Sequence, residues 1–259
     1  MLRVLGAEVI CLHDQPKGER INLDCGTTNL TALKKAVHEK QADIGFAFDG
    51  DGDRLIAVDE NGRVVDGDRL IGLSAIDRQE HDTLPNNTVV VTVMSNLGFH
   101  QAMKRAHINV VTTAVGDRYV LDAMELGGFV IGGEQSGHII HRDLATTGDG
   151  LLAAIVLAQL VRRRQENDGS KFSQLASSVM HTFPQVLKNV KVAVRPNDVA
   201  KLLAAEIAAE EAVLGENGRV LVRASGTEPL IRVMVEAPTA SMADEVADRL
   251  IAVAISKCV

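Results

Sequence analysis

Asp49, Asp51 and Asp53 stand at alternate positions in the stretch Asp-Gly-Asp-Gly-Asp-Arg, which ends at Arg54. Like charges this close repel. In an extended chain, residues i and i+2 lie roughly 6–7 Å apart, so three carboxylates meet only if the backbone curls. Gly50 and Gly52 allow the curl, because glycine takes positive φ freely. The natural partner of three converging carboxylates is a hard divalent cation bound through oxygen, Mg²⁺ or Ca²⁺.

Three readings compete for this loop. Asp49, Asp51 and Asp53 match the first three ligand positions of a helix–loop–helix calcium site, with Glu60 at the twelfth. Arg54 occupies the sixth position, where that site needs glycine, and the flanks read as strands, so this reading fails. A polar turn with aspartates capping backbone N–H groups is the second. A catalytic Mg²⁺ site with an arginine for a phosphate is the third.

Two further loops carry chemistry. Gly132-Gly-Glu-Gln-Ser-Gly-His138 places Glu134, Ser136 and His138 on a tightly curved backbone. An acceptor, a hydroxyl and a titratable imidazole suit sugar hydroxyls and general acid–base work. Arg223-Ala-Ser-Gly-Thr-Glu-Pro229, followed by Arg232, offers backbone N–H groups, the hydroxyls of Ser225 and Thr227, the open backbone of Gly226 and two guanidinium groups. Phosphate is the natural guest of such a set.

Strands and helices must position these loops. Ile44–Phe48 reads as a buried strand before the acidic loop, and Leu55–Val58 as a short strand closed by the hairpin signal Asn61-Gly62. Residues 7–12 read as a strand, and a helix runs from a Thr28 or Asn29 cap to Glu39. The pattern predicts buried parallel strands here. Asp51-Gly-Asp-Arg-Leu55 recurs as Asp66-Gly-Asp-Arg-Leu70, where Asp66 or Asp68 reads as a helix cap and not as a second metal site. Strands and helices alternate from residue 88 to Arg164, which predicts a second α/β unit. Val186–Val194 alternates as a half-exposed antiparallel strand should, and helix 197–214, strands 219–223 and 230–236 and helix 239–255 follow as a small α+β domain.

The bulk numbers narrow the class. A chain of 259 residues with 46% apolar and 24% charged residues is an ordinary globular composition. A net charge of −7 argues against nucleic acid and anionic membranes as partners. Any anionic substrate must meet a local basic cluster. Cys11, Cys25 and Cys258 have no metal-ligand spacing, which fits a reducing cytoplasm. No apolar run is long enough to span a bilayer. Oligomeric state is not legible.

With the three loops in view, the chain resembles the α-D-phosphohexomutases, and most of all their bacterial phosphoglucosamine mutase branch. The resemblance rests on F-A-F-D-G-D-G-D-R (46–54), V-M-S-N-L-G (93–98), V-G-D-R-Y-V-L (115–121), G-G-E-Q-S-G-H (132–138), T-T-G-D-G (146–150) and R-A-S-G-T-E-P-L-I-R-V-M-V-E (223–236). It implies α/β domains with mixed sheets and a C-terminal α+β domain. It also implies a cytoplasmic isomerase that interconverts glucosamine 6-phosphate and glucosamine 1-phosphate through an enzyme phosphoserine and Mg²⁺, for amino-sugar and cell-wall precursor synthesis. Carried over, Asp49, Asp51 and Asp53 bind Mg²⁺, and Arg54 approaches the transferring phosphoryl group. Glu134 and Ser136 bind sugar hydroxyls, with His138 as proton carrier. Arg223, Ser225, Gly226, Thr227 and Arg232 hold the non-reacting phosphate.

The same resemblance divides the chain. Residues 1–66 match the end of the family's second domain, 67–183 the third and 184–259 the fourth. The family's phosphoserine loop, T-A-S-H-N-P-like and in the first domain, has no counterpart in these residues. The expectation is a truncated chain, inactive alone. The alternatives are another phosphohexomutase (phosphomannomutase or phosphoglucomutase), or a non-catalytic sugar-phosphate-binding fragment. A haloacid-dehalogenase-like phosphatase, with Asp49 as nucleophile and Asp51 as acid, leaves the loops at 134 and 225 without purpose.

Overall fold

The structure is a computed structural model that describes residues 1–15, 17–192, 198–225 and 230–258. The chain clusters into two units, Met1–Ser95 with Phe99–His181, and Asn96–Gly98 with Thr182–Val259.

The first unit holds two sheets, a large apolar core and a smaller cluster of Val90, Val120, Met124 and Ile140. Helix α1 (Thr31–Lys40) leads to β1 (Ile44–Phe48), β2 (Leu55–Asp59) and β3 (Val64–Val65). These strands pair in the order β1-β2-β3, and both pairings are antiparallel. The expected parallel arrangement fails for a simple reason. The acidic loop joins β1 to β2 directly, whereas a parallel neighbour needs a crossover of a dozen residues or more. Every residue of β2 is buried. Its Leu55 and Ala57 join the core formed under α2 (Gly67–Glu80).

The second sheet has the order β5-β4-β6-β7, from β4 (Thr88–Thr92), β5 (Asn109–Thr113), β6 (Ile131–Gly133) and β7 (Ile139–His141). β4 is parallel to β5 and to β6, because α3 (Leu97–Arg105) and α4 (Asp117–Gly127) supply the crossovers. β7 returns antiparallel through the short 134–138 loop. Helices α5 (Gly150–Asp168) and α6 (Phe172–Val179) complete the unit, and Ala153, Ala154, Leu157 and Phe172 pack into its core.

The second unit is an antiparallel sheet of β8 (Gln185–Lys191), β9 (Arg219–Ala224) and β10 (Leu230–Glu236) in the order β8-β10-β9. Its core gathers Val220, Val222, Ile231, Val233 and Val235 from the sheet with Ala243, Val246 and Leu250 of α9 (Ala240–Cys258). The single helix expected over 197–214 is two, α7 (Val199–Leu202) and α8 (Ala204–Leu214). The break falls at Leu203, which is fully buried. Residues 7–12 form no strand: they have no pairing partner among the described residues, and Ile10 and Leu12 are exposed. No helix among the described residues is long and apolar enough to cross a membrane.

Candidate active site

The acidic loop is folded by its own groups. Gly52 sits at φ 73 and donates its N–H to the Asp49 carbonyl at 3.2 Å. Asp49 Oδ1 accepts the Arg54 N–H at 3.2 Å, and Arg54 Nε lies 3.8 Å from Asp49 Oδ2. The curl brings Asp49 and Asp53 together. Burial, followed by the hydrogen bond with Asp53, raises the Asp49 carboxyl above its ordinary value. Burial acts in the same sense on Asp53, but hydrogen bonds from Asp49 and His138 outweigh it and hold that carboxyl low. Of the two, Asp49 is therefore the more readily protonated. Asp53 Oδ2 meets His138 Nδ1 at 3.0 Å, while Oδ1 is buried with no hydrogen-bond partner among the described residues.

Asp51 is exposed, and no three-membered group of metal-ligating side chains forms among the described residues. Two oxygen-donor carboxylates and a buried, unmet carboxylate oxygen fit a hard divalent cation as part of a ligand set.

The loop after β6 is locked onto the acidic loop. His138 forms a β-bridge with Arg54, and the Leu55 N–H donates to the Gly137 carbonyl at 2.9 Å. Glu134 is oriented by two donors, the Gly116 N–H on Oε1 at 3.0 Å and the Ser136 hydroxyl on Oε2 at 3.4 Å. Ser136 is exposed and His138 is buried. Four of the sequence-predicted residues, Asp49, Asp53, Arg54 and His138, thus form one connected group, and Glu134 and Ser136 share the loop that carries His138.

In the second unit, Arg223 on β9 and Arg232 on β10 are direct cross-strand partners. Like charges directly opposite destabilise a sheet. Burial, and then the charge of Arg232, pushes the Arg223 guanidinium below its ordinary range. Ser225 is buried and its N–H donates to the Leu230 carbonyl at 2.8 Å. Gly226 and Thr227 lie outside the described residues.

Comparison with known sequences decides the family. The phosphoglucomutase/phosphomannomutase alpha/beta/alpha domain II matches residues 1–62, alpha/beta/alpha domain III matches 66–183, and the C-terminal domain matches 187–253. The chain belongs to the phosphohexomutase family.

Phosphoglucosamine mutase of Frankia alni is 52% identical over 254 residues, which cover 98% of this chain and 55% of that one. Phosphoglucosamine mutase of Thermobifida fusca is 54% identical over 251 residues, covering 96% and 55%. The chain thus spans about half the length of these relatives. Among solved structures, Aspergillus fumigatus N-acetylphosphoglucosamine mutase in complex with GlcNAc-6P and magnesium superposes with a TM-score of 0.72 at 22% identity, covering 92% of this chain and 58% of that one. A phosphoglucomutase/phosphomannomutase family protein from Burkholderia thailandensis gives 0.70 at 22% identity, covering 88% and 50%. These structures share the fold.

In this phosphohexomutase chain, several glycines hold the site together, and sequence reasoning gave them no role. A Cβ on Gly67 would lie 2.1 Å from the Glu134 carbonyl oxygen, and the Gly67 N–H donates to the Gln135 carbonyl at 3.0 Å. The repeated Asp-Gly-Asp-Arg-Leu is therefore a packing device: Asp66 caps α2 by accepting the Arg69 N–H at 3.2 Å, and Gly67 lets the 134–138 loop come close. Gly148 lies flat against the His138 ring, where a Cβ would sit 2.4 Å from Cε1. Gly150 donates its N–H to the Gly52 carbonyl at 2.9 Å, and Asp149 caps α5 at the Leu152 N–H. The available signals were the verbatim repeat and T-T-G-D-G.

Proposed function

We propose that this chain is the sugar-phosphate-handling part of a phosphoglucosamine mutase, with glucosamine 6-phosphate and glucosamine 1-phosphate as substrates. The observation that carries the reading is the Arg54–His138 bridge with its Asp53–His138 bond, which makes the cation loop and the sugar loop one rigid structure. The naming of relatives at 52% and 54% identity supports glucosamine over glucose or mannose. Glu134 and Ser136 alone do not discriminate among hexoses.

Each residue then has a role. Asp49, Asp51 and Asp53 would hold Mg²⁺, which would neutralise charge on the transferring phosphoryl group. Arg54 faces the phosphoryl oxygens. Glu134, oriented by Gly116 and Ser136, receives sugar hydroxyls. His138 has Nδ1 committed to Asp53, which leaves Nε2 as the nitrogen that moves a proton. Arg223, Ser225, Gly226, Thr227 and Arg232 grip the non-reacting phosphate, and such a grip orients a substrate for attack. We place the division of labour at residues 1–66, 67–183 and 184–259, and the work in the cytoplasm.

In this reading the phosphoryl donor is the phosphoserine of a Ser-His-Asn loop. No Ser-His-Asn loop occurs in these 259 residues. The polypeptide as it stands binds sugar phosphate without turning it over.

Titration calorimetry with glucosamine 6-phosphate tests the grip. Charge-assisted hydrogen bonds to a phosphate contribute about 1.5–3 kcal/mol each, so Arg223→Ala is expected to weaken binding roughly 10–100-fold. Unchanged affinity in Arg223→Ala and Arg232→Ala would remove the phosphate from this loop.

A further inference from the structure

The open face of the second unit's sheet carries more than the two arginines. Side chains alternate across a strand, so direct partners in an antiparallel sheet share a face. Val186 and Val190 of β8, Ile231, Val233 and Val235 of β10, and Val220 and Val222 of β9 point to the helix-covered core. Asn189 and Lys191 therefore share the opposite face with Arg232 and Arg223. The register is direct: Asn189 stands opposite Arg232, Arg232 opposite Arg223, and Lys191 opposite Leu230. Lys191 is then the diagonal neighbour of Arg232, about 7–8 Å away between backbones and within reach of long side chains.

On the central strand, Met234 and Glu236 of this face are buried while Leu230 and Arg232 are half-buried, and on the edge strand Leu187, Asn189 and Lys191 are all exposed. Lys188 shows the contrast within one strand. It lies on the helix side, where Asp244 and Asp248 neutralise it at 2.8 and 2.6 Å. Lys191 has no such neutralising carboxylate among the described residues. One strand thus carries a lysine spent on a helix and a lysine added to a face that already holds two opposed guanidinium groups.

We propose that Lys191, with Asn189 beside it, extends the Arg223–Arg232 pair into a four-residue row that binds a phosphate dianion. Asn189 donates its side-chain amide to a phosphate oxygen, and Lys191 supplies a third positive charge from the edge strand. A third cation makes the face select a dianionic phosphomonoester over a monoanion such as a carboxylate or sulfonate of similar size. The proposal rests on the reading of Arg223 and Arg232 as a phosphate grip, and it assigns that grip two residues outside the Arg-Ala-Ser-Gly-Thr segment.

The test is calorimetric titration of the full chain with inorganic phosphate and, separately, with glucosamine 6-phosphate, at two salt concentrations. Lys191→Ala is expected to weaken both ligands about fivefold, Asn189→Ala about threefold, and Lys191→Arg hardly at all. Lys191→Glu should weaken them further, and the salt dependence of binding should flatten in Lys191→Ala. Lys188→Ala, on the other face of the same strand, should leave phosphate affinity unchanged. Equal affinity in Lys191→Ala and the parent chain, with binding still lost in Arg232→Ala, would overturn the row and leave the arginine grip standing. An equal loss in Lys188→Ala and Lys191→Ala would overturn it too, since only a general charge effect treats both faces alike. No phosphate affinity in the parent chain would overturn the row and the grip together.

Discussion

Gly137→Ala is expected to cost about 4 kcal/mol of folding stability in the first unit. Two terms add. Gly137 holds φ +97, a left-handed conformation that costs an L-residue about 1–2 kcal/mol. The added Cβ would also lie 2.3 Å from the Leu55 carbonyl oxygen. That oxygen cannot retreat, because Leu55 is pinned in β2 by its pairing with Phe48 and by its own N–H to the Gly137 carbonyl at 2.9 Å. Relief must come from opening the contact between the acidic loop and the 134–138 loop. Gly62→Ala is the matched control: Gly62 sits at φ +78 with open space around its Cβ position, so it should cost only about 1 kcal/mol. The chain has no tryptophan and one tyrosine, Tyr119 in α4, so tyrosine fluorescence during urea unfolding reports this unit. Equal midpoints for the two variants would contradict the packing argument.

Acid should destabilise the first unit as the pH falls below about 6.5. His141 ends β7 fully buried, and its Nδ1 has no hydrogen-bond partner among the described residues. Burial, reinforced by the charge of Arg78 and opposed by Asp143, holds the imidazole down to about 4 against an ordinary value of 6.5. Above pH 6.5 the ring is neutral whether the chain is folded or not. Between pH 6.5 and 4 the unfolded chain takes up a proton that the folded one refuses. Stability therefore falls as pH falls, by about 1.4 kcal/mol per unit and ~3 kcal/mol in total. Urea midpoints at pH 7, 5.5 and 4.5 should drop steadily in the parent chain. His141→Leu should remove most of that slope. A parallel slope in the variant would assign the acid sensitivity to other groups.

The sequence carried the local features well, because they are set by short-range chemistry. Asp66 as a cap, the Asn61-Gly62 return and the strand at 230–236 each follow from the residues that form them. The alternation that begins at Val186 marked an antiparallel sheet, which β8, β9 and β10 form. The long-range features were not legible. Nothing near Asp53 announces that its partner is His138, 85 positions away. Nothing in T-T-G-D-G says that Gly148 is small so that an imidazole can lie on it. The alternate spacing of Asp49, Asp51 and Asp53 suggested three equivalent ligands, yet the curl at Gly52 gathers two and leaves the middle one in solvent. The apolar run at Ile44 read as parallel because buried strands of either sense look alike, and only the brevity of the following loop separates them.

The most direct test of the account is one phosphorus NMR experiment. Glucosamine 6-phosphate is mixed with the 259-residue chain, Mg²⁺ and a hexose bisphosphate activator, and its resonance is followed over hours. The account predicts a saturable broadening or shift of the 6-phosphate signal, lost in Arg223→Ala, with no new resonance. Growth of a 1-phosphate signal in proportion to the chain would contradict the proposal that these 259 residues bind sugar phosphate without turning it over. Growth of inorganic phosphate would contradict it in favour of a hydrolase.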